Sequence, residues 1–276
     1  MRSSTWLLAL AVAALVGCAP TRQKAITIKG SDTMVILGQR WAESYMASHP
    51  GAVIQVTGGG SGTGIAALIN GTTDICQSSR AMKDEEKQQA AAKLGTPPVE
   101  VVVARDGLSI YVADSNPVRE LTLAQIKAIY TGQVTNWKDV GGSDAAITVY
   151  GRENNSGTYV YFKEHVLEGA DFAAIVQTLP GTAAVVNAVS QDAKGIGYGG
   201  AAYATGVRDL AVRKDATSEA VLPTLENMNS GSYPIARSLY YYLATPGNEA
   251  VMDFIAFALS DSGQKLVTEV GYFPAQ

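Results

Sequence analysis

Residues Gly151 to Phe162 read GRENNSGTYVYF, one arginine followed four positions later by a Ser-Gly-Thr triplet and then an apolar, aromatic run. Arg152 supplies a rigid bidentate fork of N–H donors. Ser156 and Thr158 supply hydroxyls. The helix that the aromatic run predicts would add unpaired backbone N–H groups and a partial positive charge at its first turn. Together these are the means of holding a small anion without a cation for each negative charge. Three further junctions carry the same residue types: GSDT before a helical pattern, TGGGSGTG before another and SSRAM before a third. They add the hydroxyls of Thr33, Ser61 and Ser79. The plainer reading of each is a helix N-cap or a glycine turn. Asp32 stands apart, because a carboxylate in an anion pocket is repulsive unless the anion brings a proton. Hydrogen phosphate has one at neutral pH and sulfate does not, so Asp32 either selects phosphate by accepting that proton or caps the helix beginning near Thr33.

The elements that must position these groups alternate between strand and helix. AITIK (25–29) reads as a strand, and Met34, Leu37, Trp41 and Tyr45 recur at helical spacing after it. AVIQV, then the TGGGSGTG loop, then IAALIN repeat the plan. TDICQ, SSRAM and KDEEKQQAAAKL form a third unit, and AITVYG, RENNSGT and YVYFKEHVL a fourth. This alternation predicts an α/β chain with largely parallel sheets, in which ligands sit beyond the carboxyl ends of the strands. Two extended apolar segments, near 99–113 and 234–244, flank a second lobe and suit strands crossing between lobes.

Composition narrows the function classes. The N-terminus has Arg2, an apolar run from Trp6 to Val16, and then Leu15-Val-Gly-Cys18. This is an export-signal layout too short to span a bilayer with normal flanks. LVGC resembles a lipobox, which predicts a signal peptide over 1–17, acylation at Cys18 and a tether over 18–24. The mature chain would keep 259 of 276 residues, with 20 basic against 25 acidic, a formal net of −5. A mildly acidic chain without basic clusters is a poor nucleic-acid binder. Cys76 then stands alone, so no disulfide framework is expected, and it reads as a buried, inert thiol. Two histidines, His49 and His165, and one cysteine leave almost no material for a metal site. GTGIAA at Gly62 to Ala67 fits a loose dinucleotide-binding pattern, but an exported chain lacks the cytoplasmic cofactor pool. Neither Ser61 nor Ser156 fits the G-x-S-x-G elbow of a hydrolase. No enzyme activity, cofactor or metal is expected.

At these motifs the mature chain resembles the phosphate-binding lipoproteins that serve high-affinity phosphate ABC importers, in their shorter bacterial form. TIKGSDTM, GGGSGTGIAAL, DICQSSRAM and GRENNSGTYVYF resemble the four ligand loops of that family. LTLAQIKAIYTGQVTNWKDVGG is similar to a family signature in the second lobe that does not bind ligand, and SYPIARSLYYYL resembles the strand returning to the first lobe. The resemblance implies a two-lobe periplasmic-binding-protein-like fold of type II, with two crossover strands and ligand in the cleft. Lobe 1 would comprise 25–104 and 236–276, and lobe 2 residues 105–235. It implies phosphate contacts from Thr33, the Met34 backbone, Ser61, Arg152, Ser156, Gly157 and Thr158, to which Ser31, Asp32, Ser79 and Arg80 are added as candidates. The family's usual aspartate acceptor in the third loop is replaced here by Ser79 followed by Arg80, and an acid found two residues after the arginine is replaced by Asn154. The acceptor role therefore shifts, with Asp32 the candidate, or is lost. The implied protein is an extracytoplasmic, membrane-tethered monomer that binds inorganic phosphate and docks on ABC permease subunits. The alternatives are the same fold holding sulfate, molybdate, tungstate or arsenate, and a phosphate sensor or scavenger without delivery.

Overall fold

The computed structural model describes residues 25–244 and 248–275; the expected signal, Cys18 and the whole tether lie outside them. The chain opens with strand β1 (Ile26–Gly30), whose inward Ile26 and Ile28 are buried on alternate positions. A single 3-10 turn over Asp32–Met34 leads into helix α1 (Val35–Ser48). Leu37, Trp41 and Tyr45 form the inward stripe of α1, one turn apart. The Trp41 indole N–H donates to the Gly263 carbonyl at 2.8 Å, so the ring is buried with its one polar atom satisfied. Strand β2 (Ile54–Thr57), helix α2 (Ser61–Ile69), strand β3 (Ile75–Ser78) and helix α3 (Asp84–Leu94) complete the first run of alternation. Although α3 is polar, it has three acidic residues in its first turn, a Glu86 carboxylate accepting the Lys83 N–H at 2.8 Å, and Gly95 closing it at φ 80°. These are the end signals that stabilise a helix against its own dipole.

Strand β4 (Val99–Val112) is long and passes from one half of the molecule to the other. Strand β5 (Glu120–Thr122) and helix α4 (Leu123–Tyr130) follow, with Thr122 and Gln125 forming a reciprocal capping box. Then come β6 (Thr148–Arg152), α5 (Gly157–His165), β7 (Gln177–Leu179), α6 (Thr182–Gln191) and β8 (Gly195–Gly200). The short strands β9 (Arg208–Asp209) and β10 (Ala211–Arg213) and helix α7 (Leu225–Asn229) lead to β11 (Ala236–Leu243), which returns the chain to the first half. Helices α8 (Glu249–Leu259) and α9 (Asp261–Val270) end it.

The principal sheet runs β2-β1-β3-β11-β4-β8-β6-β7, with β9 paired to β4; β10 and β5 form a separate ribbon. Pairing is parallel among β1, β2 and β3 and among β6, β7 and β8. It is antiparallel wherever β4 or β11 takes part in the principal sheet. The expected parallel sheet is thus mixed, because the two strands that join the halves run in opposite directions through its centre. Residues 99–107 of β4 pair with β11, and residues 108–112 pair with β8. One strand therefore belongs to two cores. Trp41, Ile75, Val103, Leu239, Tyr241 and Phe254 pack in one. Leu108, Ile110, Tyr130, Phe162 and Tyr198 pack in the other, where Phe162 stacks on Tyr198 at 4.0 Å and meets Tyr130 edge-on at 4.7 Å. Burying each large side chain is worth about 1.5–3 kcal/mol, and each aromatic pair adds about 0.5–1.5 kcal/mol. The result is the two-lobe periplasmic-binding-protein fold, with a cleft between lobes joined by the strands β4 and β11.

Candidate functional site

The four sequence loops lie at the carboxyl ends of β1, β2, β3 and β6, three units of the first lobe facing one of the second. Two helices begin earlier than their apolar runs suggest. Gly60, at φ 89°, turns the chain so that α2 starts at Ser61, and Ser156 caps α5 directly before Gly157. Ser61 and Gly157 thereby occupy first helical turns, where N–H groups are unpaired within the helix. The Ser156 Oγ accepts the Thr158 N–H at 3.2 Å and the Tyr159 N–H at 3.3 Å. Its own hydroxyl proton remains to be donated.

The loops meet across the cleft. The hydroxyls of Thr33 and Thr158 are 2.9 Å apart, and those of Ser61 and Ser79 are 3.3 Å apart, with the Ser79 N–H donating to Ser61 Oγ at 3.1 Å. All four residues are buried. Gly157 sits directly over the serine pair: a Cβ there would collide with Ser61 Oγ and stand 2.8 Å from Ser79 Oγ. Each hydroxyl pair satisfies itself with one proton and keeps a second for an acceptor placed between the lobes. The buried Arg152 donates from Nη1 to Thr182 Oγ1 at 2.7 Å and from Nη2 to Asp32 Oδ2 at 2.8 Å, while its Nε has no partner. Burial lowers the Arg152 guanidinium below its ordinary range and the nearby Asp32 carboxylate works against that shift.

Asp32 does not cap α1. Its Oδ1 accepts the Gly59 N–H at 2.8 Å and its Oδ2 accepts Arg152, so both oxygens face donors and the carboxylate ties loop one to loop two and to the opposite lobe. The Asn155 side-chain amide adds a rim contact to the Gly59 carbonyl at 3.1 Å, and the Gly62 N–H donates to the Asn155 carbonyl at 3.0 Å. Ser31 and Met34 serve the loop's shape: the Ser31 N–H donates to the Gln77 carbonyl and the Met34 N–H to the Ser31 carbonyl, with the Met34 side chain in the core. Arg80 is drawn elsewhere. Its guanidinium forks onto both carboxylate oxygens of Glu86 at 2.7 Å and also donates to the Ala81 carbonyl. Its Nε, like that of Arg152, is buried without a partner.

Several groups at the cleft carry no signal in the local sequence pattern. Thr182, the partner of Arg152, opens α6 after Gly181 at φ 76°, a Gly-Thr step before an apolar run. The Tyr203 hydroxyl donates to the Asp32 carbonyl oxygen at 2.7 Å, and the Tyr272 hydroxyl to that of Thr33. Asp106 and Arg237 pair across β4 and β11. Charged residues inside two apolar strand segments were the available sign of that pair. The GTGIAA stretch lies within α2, where Gly64 allows close approach to the backbone of Lys29 and Gly30; its glycines serve helix–strand packing. Cys76 is buried and its thiol is pushed up by burial. His49 and His165 stack on Tyr45 and Tyr161.

A family model described as the PBP superfamily domain matches residues 18–262. The phosphate-binding protein PstS of Pseudomonas aeruginosa is 37% identical over 289 aligned positions, which cover 96% of this chain and 90% of the relative. PstS of Staphylococcus haemolyticus is 33% identical, with 88% and 79% covered. Among solved structures, a Clostridium perfringens substrate-binding protein assigned to a phosphate ABC transporter, with phosphate bound, matches at TM-score 0.83 and 32% identity over 92% of this chain and 100% of that one. An ABC-type phosphate transport receptor from Vibrio cholerae matches at TM-score 0.72 and 31% identity over 90% and 99%. The chain belongs to the PstS family of the PBP superfamily, a family of substrate-binding transport proteins rather than enzymes.

Proposed function

We propose that this member of the family binds inorganic phosphate in the cleft, outside the cytoplasmic membrane, and delivers it to the permease subunits of an ABC importer. The observation that carries the reading is the cross-cleft set: Arg152 on Asp32 and Thr33 on Thr158, each pair uniting the two lobes. Phosphate contacts come from Thr33, Ser61 and Ser79 on lobe 1 (25–104 and 236–276). From lobe 2 (105–235) they come from Arg152, Ser156, Gly157 and Thr158. Charge-assisted hydrogen bonds net about 1.5–3 kcal/mol each, so a handful reaches micromolar binding, about −8.2 kcal/mol, after the anion is desolvated. Bridging contacts exist only with the lobes together, so ligand shifts the population toward the closed form that the permease engages. Cys18 acylation, with removal of 1–17, tethers a monomer to the membrane surface; no helix among the described residues is long and apolar enough to cross it.

The test is calorimetric titration of the mature chain, unfolded and refolded to strip carried-over ligand, with phosphate, sulfate and molybdate in parallel at neutral pH. Tight one-to-one binding of phosphate alone is expected. Tight binding of sulfate or molybdate instead overturns the ligand and keeps the site. No binding of any of the three overturns the reading.

A further inference from the structure

Asn155 stands exposed at the rim of the cleft, three residues after the buried Arg152 and next to the buried Ser156. Its hydrogen bonds run to the opposite lobe. The side-chain amide donates to the Gly59 carbonyl at 3.1 Å and to the Thr63 hydroxyl oxygen at 3.4 Å, and its backbone carbonyl accepts the Gly62 N–H at 3.0 Å. That N–H belongs to the first turn of α2, where it has no partner within its helix and the dipole is positive. A carbonyl of one lobe thus satisfies a helix start of the other.

Two glycines make room for the contact. A Cβ on Gly60 would stand 2.7 Å from the Asn155 carbonyl oxygen, and one on Gly62 would stand 3.2 Å from it. Gly60 needs to be glycine in any case, at φ 89°. Gly62 has no such need, because it lies within α2 without a positive φ, where alanine is the better helix former. The approach of Asn155 accounts for its missing side chain.

Arg152 with Asp32, and Thr33 with Thr158, also pair across the cleft, but Arg152, Thr33 and Thr158 are among the groups proposed to hold phosphate and must share themselves with it. The contacts of Asn155 use groups outside that set, so they persist when the site is loaded. Lys83 and Glu164 face each other across the lobes at 3.7 Å, but both are half-exposed and such a pair contributes little.

We propose that Asn155 is a positioning residue of the closed state, which latches the fourth ligand loop onto the glycine-rich second loop and sets how long the loaded protein keeps its phosphate. The inference rests on the phosphate reading above and adds the group that times release. Contacts that form only once the lobes meet slow dissociation and leave the encounter with ligand unaltered. They leave selectivity unaltered as well, because Asn155 acts on the lobes and not on the anion.

The experiment follows release of radiolabelled phosphate into an excess of unlabelled phosphate from the refolded mature chain, Asn155→Ala and Gly62→Ala. Calorimetric titrations with phosphate and with arsenate, an anion of the same shape and protonation, and urea unfolding without ligand accompany it. Asn155→Ala is expected to release phosphate about three- to tenfold faster, as loss of a hydrogen bond worth about 0.5–1.5 kcal/mol implies, with association within about twofold of the parent. Its phosphate-to-arsenate affinity ratio and urea midpoint stay parental. Gly62→Ala is expected to hasten release likewise while its urea midpoint holds or rises. Parental release from a folded Asn155→Ala overturns the inference. So does an affinity ratio that shifts along with the release rate, since Asn155 would then be a ligand contact. Should Asn155→Ala not fold, Gly62→Ala decides by the same two readings. A parent chain that binds no phosphate overturns the underlying reading instead.

Discussion

Arg152 combines three properties that rarely coincide: burial, a fixed guanidinium plane set by Thr182 and Asp32, and a buried Nε with no partner. Arg152→Ala should lower phosphate affinity at least about tenfold, since a hydrogen bond to a charged group nets about 1.5–3 kcal/mol; an unchanged calorimetric titration refutes its role. Gly157 presents the opposite requirement, absence of a side chain. Gly157→Ala drives a methyl into Ser61 and Ser79 and should hold the lobes apart, cutting phosphate affinity at least about tenfold while leaving the urea midpoint of the ligand-free protein nearly unchanged. At this scale the sequence was readable where chemistry is local. Arg152, Ser156 and Thr158 sit within one short stretch, and hydroxyls beside glycines mark Thr33 and Ser61. Arg80 shows the limit: nothing in the arginine beside Ser79 marks Glu86, in the first turn of the next helix, as its partner. Asp106 and Arg237 stand 131 positions apart and meet only through strand register.

The elements deliver their loops because helices pack tightly on strands. Gly64 is the closest such approach on the first lobe: a Cβ there would collide with the Lys29 carbonyl oxygen and stand 2.6 Å from the Gly30 Cα. Gly64→Ala should therefore destabilise the chain by about 1–3 kcal/mol, read from urea unfolding, and a variant as stable as the parent would show that α2 can retreat from β1 without cost. The alternation of strands and helices was legible from apolar periodicity, and the stripe of Leu37, Trp41 and Tyr45 packs as its spacing requires. Strand direction was not legible, because an isolated apolar run such as YYYL carries no mark of which neighbour it will join. The helix starts were misjudged by two to four residues at α2 and α5, where Ser-Gly-Thr reads as loop by composition but follows Gly60 or a Ser156 cap into a helical turn.

At the scale of the whole molecule, the proposed site is a relation between two cores. Phosphate held by both should weld them thermodynamically. At a phosphate concentration about 1,000 times Kd, stability should rise by about 4.1 kcal/mol, in one cooperative unfolding transition. Scanning calorimetry with and without phosphate checks this; two transitions, of which phosphate raises only one, would place the whole site on a single lobe. The two-lobe plan was legible from a pair of apolar segments far apart in sequence, and β4 and β11 occupy them. The end of the chain was harder to read. Phe273 bridges to Arg105 on β4, and the Tyr272 hydroxyl holds the Thr33 carbonyl, so the last described residues brace the first ligand loop. Ribosomes make chains from the N-terminus, and Thr33 is therefore finished some 240 peptide bonds before its brace. The pocket cannot be complete until Tyr272 has been made, and a nascent chain stalled before that residue would carry a first loop without this clamp.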